Sequence, residues 1–318
     1  MIDATGHFQE LRRFLINSSH TQKKSMARRA HCLPRRGLPH KLRLQAGLAL
    51  IMAICLIIFA HAQQAPATAP SLPIIVYHQI RTSGDDPPDA QTVISLNQFE
   101  SHMRFIHDQG YTTLSMDEVV RFLKGQPFPA KSIAIHFDDG WKSQLAAVPV
   151  LRRFGFKASF WIIPGRGIGA PEMDWDELRA LANIPGFEIL SHTMTHPYQE
   201  HDTLPDWMAG TTPDKGPKQA EWELTESRRV LKEEIGKPVY YLAWPSGFYN
   251  EALIRLAKKA GYKGLLTIDN GVNRIGDDPL HIHRTIVHGA CDTQALQQIL
   301  TDGVYRNCNL SPASEQPN

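Results

Sequence analysis

The chain has 318 residues, 42% of them hydrophobic, enough apolar material for one sizeable core once a leader is set aside. Its net charge of +2 is unevenly placed: residues 1–62 hold ten Lys or Arg against only Asp3 and Glu10, which leaves 24 basic and 30 acidic residues, a charge of −6, in the rest. A mildly acidic body lacks the positive footprint that a phosphate backbone demands, so no nucleic-acid partner is expected.

The first feature in chain order is an export signal. Arg35, Arg36, Lys41 and Arg43 precede an apolar run over 46–60, and Ala60-His61-Ala62 offers a small-x-small cleavage pattern before Gln63. The run is shorter than the roughly 20 residues of a membrane span. Two outcomes stay open: cleavage near Gln63, or an uncleaved membrane tether through 46–60, helped by Leu42 and Leu44. Either way the protein is expected to be exported, as a periplasmic, secreted or inner-membrane-anchored protein. Met26 would give a leader of ordinary length. Cys55 follows the bulky Ile54 inside the run and does not suit lipidation. Beyond the leader only Cys291 and Cys308 remain, without metal-type spacing; they form a disulfide in an oxidising compartment or stand as separate thiols.

Residues 63–73, rich in Ala, Pro and Gln, read as a linker, 74–308 as a single domain, and 309–318 as a flexible polar tail. Strands are expected at 74–77, 133–137, 158–163, 187–191, 240–243, 264–267 and 282–287. Helices are expected at 97–109, at 116–124 behind the capping box of Ser115 and Glu118, at 144–154 with a kink at Pro149, at 174–181 behind a D-x-x-E cap, at 221–235, and at 251–260 between Asn250 and Gly261. Residues 199–219 read as a long loop. This alternation argues for a parallel α/β sheet or barrel, whose chemistry gathers at the carboxyl ends of the strands. His78, Asp138-Asp139 and His192 fall there.

Two constellations carry chemistry. His136-Phe137-Asp138-Asp139-Gly140 ends a strand with adjacent carboxylates. Extended geometry would point them to opposite faces, so a tight turn at Gly140 is needed to bring them together; alone, the pair is equally an acidic turn. Ser191-His192-Thr193-Met194-Thr195-His196-Pro197 places two histidines four apart, suited to one metal if the segment makes a helical turn; alone, they are two of fifteen histidines. Together, two imidazoles and one carboxylate are a ligand set with room for a water, and the spare carboxylate can take its proton. That suffices to hydrolyse an amide or ester without a covalent intermediate.

F-D-D-G followed some fifty residues later by H-T-x-x-H resembles the NodB-homology polysaccharide deacetylases, carbohydrate esterase family 4, over roughly residues 73–300. The resemblance implies a distorted (β/α) barrel in a single domain. It also implies removal of N-acetyl groups from an N-acetylglucosamine-containing polysaccharide, with one divalent metal: zinc for preference, with nickel, cobalt or iron as alternatives. Carried over, Asp138 is the base and Asp139, His192 and His196 are the ligands. The family's R-x-P-x-G corresponds to Ala243-Trp244-Pro245-Ser246-Gly247, with Ser246 N–H as an oxyanion donor and Trp244 as a sugar-stacking face. The Arg that steadies the base is replaced by Ala243; Arg284 is the substitute, and is also assigned to substrate contact. The general acid is His78, in the rearranged order of bacterial poly-β-1,6-N-acetylglucosamine deacetylases, with His288 as the alternative. Trp141, Tyr198, Trp207 and Trp222 are further candidate sugar platforms. The partner implied is the polysaccharide, with no protein partner. Two rival readings remain: an O-acetyl esterase on the same scaffold, and a non-catalytic glycan-binding protein.

Overall fold

Apolar stretches of five to seven residues, interrupted by capped helices, wind this chain into a curled parallel sheet. The computed structural model describes residues 70–82, 92–166 and 168–304. The leader, its cleavage or tether, Cys308 and the tail lie outside the described residues, as does all of the linker except its last four residues. The linker is shorter than expected: β1 (Ser71–Tyr77) starts within it, because Ser71, Leu72 and Pro73 pair antiparallel with a strand 200 residues later.

Next come β2 (Gln79–Arg81), β3 (Val93–Ser95), α1 (Leu96–Asp108), β4 (Thr112–Thr113) and α2 (Met116–Leu123). In α2 both bonds of the Ser115–Glu118 capping box form. β5 (Ser132–Phe137) leads through a 3₁₀ turn, Lys142–Ala147, into α3 (Val148–Phe154). Pro149 starts that helix rather than kinking it, since the missing N–H is harmless in a first turn. β6 (Ala158–Ile162), α4 (Trp175–Ala182) and β7 (Phe187–Ser191) follow as expected.

Residues 199–219 are not a loop. They hold most of a hairpin of β8 (Tyr198–Gln199) and β9 (Asp202–Thr203), then α5 (Leu204–Ala209) and the first turn of α6 (Pro217–Ile235). A Thr203–Asp206 capping box and prolines in the first turn of both helices explain the difference: prolines that read as breakers stand where a missing N–H breaks no intrahelical bond. β10 (Tyr241–Ala243), α7 (Glu251–Ala260), β11 (Gly264–Leu266), β12 (Val272–Arg274), β13 (Thr285–Ile286) and α8 (Thr293–Asp302) complete the domain.

The strand order is β11-β10-β7-β6-β5-β1-β12, parallel except for β12, with β13 also on β1. The stretch expected as one strand over 282–287 is divided because it changes partner. Ile282 exchanges bonds with Leu265 and Thr267, then Thr285 and Ile286 pair with Ile75 and Val76. This step from β11 across to β1 closes the curl into a distorted barrel. Leu72, Ile74, Ala134, Trp161, Leu190, Ala243, Leu266 and Ile282 form one cluster with Met116, Val119 and Leu123 of α2. Alternate residues, including Ile75, Tyr77, Ile135, Phe137, Phe160 and Leu242, pack with the surrounding helices.

Within the helix layer, Tyr77 O–H donates to Nδ1 of buried His102 (3.0 Å), whose Nε2–H donates to the Cys291 carbonyl (2.8 Å). Cys291 is disulfide-bonded; Cys308, the partner expected from the sequence, lies outside the described residues. Burial pushes His102 down to about 4. Its folded value lies below the ordinary 6.5, so the unfolded chain takes the proton first and stability falls as pH drops from about 6.5 toward 4. The expected loss from His102 between pH 7 and pH 4.5 is about 2 kcal/mol. Urea unfolding at the two pH values measures it, and His102→Gln should flatten the dependence; an unchanged dependence would remove His102 as its cause.

Candidate active site

The parallel register brings the ends of β1, β5, β7 and β10 to one side of the barrel. Asp138 N–H donates to Tyr77 O (2.9 Å), which extends the ladder one step beyond β5. Asp139 departs from it. Its φ is 74° and that of Gly140 is 77°. Two left-handed residues in succession make the turn expected at Gly140 alone, and they swing the second carboxylate toward the histidines. A Cβ at Gly140 would lie 3.0 Å from Ile162 Cδ1, so glycine also serves the packing there. Gln144 Nε2 donates to the carbonyls of Asp138 (2.6 Å) and His78 (3.0 Å), Met173 N–H to Gly140 O (3.0 Å), and Trp141 Nε1 to Asp139 Oδ2 (3.0 Å). These bonds hold a conformation that costs of order 1–3 kcal/mol per strained residue.

The two histidines converge without a helical turn. The segment after β7 is irregular, with φ of 64° at Thr193 and 57° at His196. His196 N–H donates to Thr193 Oγ1 (3.2 Å), and Thr193 N–H to Ser191 Oγ (3.3 Å). His192 Nδ1–H donates to the Ala243 carbonyl (2.9 Å), which leaves its Nε2 lone pair free and aimed by β10. That Nε2 lies 3.7 Å from Asp139 Oδ1, and His196 Nε2 lies 3.8 Å from the same oxygen. One ligand atom from each residue lies within 4.8 Å of the others. Tetrahedral coordination with bonds of roughly 2.1 Å separates ligand atoms by about 3.4 Å, so the donor set suits a divalent ion once its atoms draw together. Burial pushes both His192 and His196 below the usual imidazole range, and the two rings' proximity lowers His196 further, so both imidazoles are neutral near pH 7 and their lone pairs are available as donors.

Asp138 is buried, with Oδ2 3.7 Å from His192 Nε2. Burial alone would raise its carboxyl, but Arg284, His192 and His78 outweigh that and hold it below the usual carboxylate range. Arg284 does most: NH1 donates to Oδ1 (2.8 Å), NH2 to Oδ2 (3.0 Å), and Nε to Thr267 O (2.9 Å). The guanidinium is wholly buried, 5.5 Å from the centre of the Trp161 ring. It therefore gives Asp138 the cation that Ala243 cannot supply, and its burial leaves it no surface to offer a substrate, against the second role expected of it. Trp244 also differs from expectation. It is fully buried in the core and stacked on Tyr249 at 6.2 Å, so it offers no face to a sugar.

Ser246 follows β10 in the turn Pro245–Gly247, at φ 48°; a Cβ on Gly247 would lie 2.5 Å from Ile268 Cγ1. His78 and His288 each lie two register steps past the last β1–β13 pair, Val76 with Ile286, so both reach the same end of the barrel. His78 is partly exposed and close enough to favour the Asp138 anion, whereas His288 is buried. Among the aromatic candidates Trp207 is core, Trp141 is partly buried on Asp139, and Trp222 is exposed on α6. Tyr198 stands beside the site, 44% exposed, with its ring 5.3 Å from that of His196 and under the Arg166 guanidinium. Sequence reasoning missed Gln144 and Glu223; the second shares an i,i+4 polar face of α6 with Ser227, an unusual pair of positions to bury.

Comparison with known proteins agrees with this fold. Residues 125–265 match the family model described as polysaccharide deacetylase. The chain is 30% identical over 219 residues to YxkH of Bacillus subtilis (strain 168), which is named as a polysaccharide deacetylase; the match covers 68% of this chain and 71% of that one. It is 23% identical over 205 residues to a poly-β-1,6-N-acetyl-D-glucosamine N-deacetylase of Staphylococcus aureus (strain MRSA252), covering 61% and 67%. Among solved structures, the deacetylase PplD of Streptococcus pyogenes superposes with a TM-score of 0.63 at 24% identity, over 73% of this chain and 99% of that one. IcaB of Ammonifex degensii gives 0.61 at 21% identity, over 74% and 97%. With the fold shared and the two motifs converging at the strand ends, the chain belongs to the NodB-homology polysaccharide deacetylases, carbohydrate esterase family 4.

Proposed function

We propose that this protein is a metal-dependent N-deacetylase of an N-acetylglucosamine-containing polysaccharide. The observation that carries the reading is the pairing of the Asp139–His192–His196 donor cluster with a second, buried carboxylate, Asp138, held ionised by Arg284. An anion 3.7 Å from a ligand nitrogen is placed to accept a proton from a water attacking beside the donor cluster. The name of the Staphylococcus aureus relative supports poly-β-1,6-N-acetylglucosamine as first substrate.

A divalent metal held by Asp139, His192 and His196, zinc for preference, would lower the pKa of a water to about 7 and polarise the acyl carbonyl. The chain's own groups do the rest. Asp138 takes the proton of the attacking water, with Arg284 fixing its orientation. The Ser246 N–H donates to the developing oxyanion. His78 gives a proton to the leaving amine, and acetate departs. Tyr198 presents a ring on which a sugar can stack.

The purified protein on defined N-acetylglucosamine oligomers, with each metal added in turn, should release acetate and leave free amines. Loss of O-acetyl groups alone would favour the esterase, and binding without turnover would favour a glycan-binding protein. His192→Ala and His196→Ala should each abolish stoichiometric metal by elemental analysis; full occupancy in both would sink the site. His78→Ala should lose amide hydrolysis more than hydrolysis of activated esters, because only the amine needs a proton to leave. If His288→Ala produced that selective defect instead, the acid would be His288. We place the protein outside the cytoplasm, and amino-terminal sequencing of exported material distinguishes cleavage near Gln63 from a retained tether; a cytoplasmic protein beginning at Met1 would contradict export.

A further inference from the structure

α6 carries a buried carboxylate that the chemistry above does not use. Glu223 is 1% exposed. Its Oε2 accepts the backbone N–H groups of Met194 and Thr195, each at 2.8 Å, and its Oε1 accepts the Thr195 hydroxyl at 2.5 Å. All three donors belong to the segment between the two histidines. One turn further along the same face, Ser227 shares a hydroxyl hydrogen bond with Ser191 (2.9 Å), to which Tyr262 also donates (2.9 Å). The opposite side of the segment is fixed as well. Gly165 N–H donates to the Met194 carbonyl (2.8 Å), and a Cβ at Gly165 would lie 2.6 Å from that oxygen, so no other residue permits the approach.

The segment needs such support. Thr193 and His196 are both left-handed without being glycine, at a cost of order 1–3 kcal/mol each. Neutral backbone donors to an ionised carboxylate make bonds roughly twice as strong as neutral pairs. Two such N–H bonds and the bond from the Thr195 hydroxyl, concentrated on the two residues between Thr193 and His196, are enough to offset that cost.

We propose that Glu223 is a positioning residue for the metal-binding histidines: it holds residues 194 and 195 so that the Nε2 atoms of His192 and His196 face Asp139 together. The inference rests on the metal-site reading given above. Without Glu223, Thr193 and His196 relax toward ordinary backbone conformations and His196 swings away, while the barrel stays folded.

Zinc affinity, measured by competition with a chromophoric chelator, tests this on the wild type, Glu223→Leu, Glu223→Asp and Glu223→Gln. Leu removes the acceptors and Asp withdraws them by one methylene; both should weaken zinc binding by about 10–100-fold. Gln can still accept both N–H groups through its oxygen and donate to Thr195, so it should bind zinc close to wild type. The visible bands of the cobalt(II)-substituted protein should change in Leu and Asp and not in Gln. A merely structural role would lower the unfolding midpoint of the metal-free protein but leave affinity and cobalt spectrum intact, and that outcome overturns the proposal. If Glu223→Leu does not fold, Glu223→Asp decides alone. Wild type that binds no zinc or cobalt would overturn the metal site and this inference with it; wild-type binding with unchanged Leu and Asp variants would overturn only the role of Glu223.

Discussion

Asp138→Asn should retain metal and lose turnover by about 10²–10⁴-fold, the usual contribution of a positioned general base. The amide still fills the space, and Asp139, His192 and His196 are untouched. Yet the substitution does more than remove a base. Arg284 is wholly buried and donates to both Asp138 oxygens, so an uncharged partner leaves its guanidinium without a counter-charge. Removing one member of a buried pair costs about 3–5 kcal/mol, whereas replacing both is often neutral. Asp138→Asn should therefore be markedly less stable in urea than wild type, and Asp138→Asn with Arg284→Met should recover much of that loss without recovering activity. This double-mutant cycle separates the catalytic from the structural effect. Near-normal amide hydrolysis by Asp138→Asn would remove it from the role of base.

Arg284→Ala is the complementary case, expected to lower stability by about 3–5 kcal/mol by stranding the Asp138 anion. Arg284 opposes the rise that burial would impose on Asp138, so removing it lets that carboxyl climb. In the wild type the folded carboxyl lies below its unfolded value. The stabilisation is therefore complete above the unfolded pKa of about 3.9 and lost as pH falls through the folded value. In the variant the carboxyl titrates at higher pH, and the acid limb of the kcat/KM profile should move upward with it. Arg284→Lys should restore little, because an ammonium cannot reproduce the two parallel bonds. A raised KM with an unmoved acid limb would instead mean that Arg284 contacts the substrate.

The amino-acid sequence by itself determined the alternation of strands and helices, most helix boundaries and which polar residues stand at the strand ends. Those are local matters. The capping boxes at Ser115 and Asp174, the glycine stops at 236 and 261 and the apolar runs of β5 and β7 depend on neighbours within a few residues. The prolines at 205 and 217 misled for the same reason: a lone proline reads as a break, and only a cap and a packed face show it to be a start. Convergence was another matter. That Asp139 turns through a left-handed φ, that His192 and His196 meet without a helix, and that Arg284 crosses the barrel to Asp138, 146 residues away, were decided by tertiary structure. Each places a charged or strained group where only contacts distant in sequence make it tolerable. The burial of Trp244 and Arg284, which removes both from the substrate, was decided the same way, because a side chain's exposure depends on what the rest of the fold sets against it.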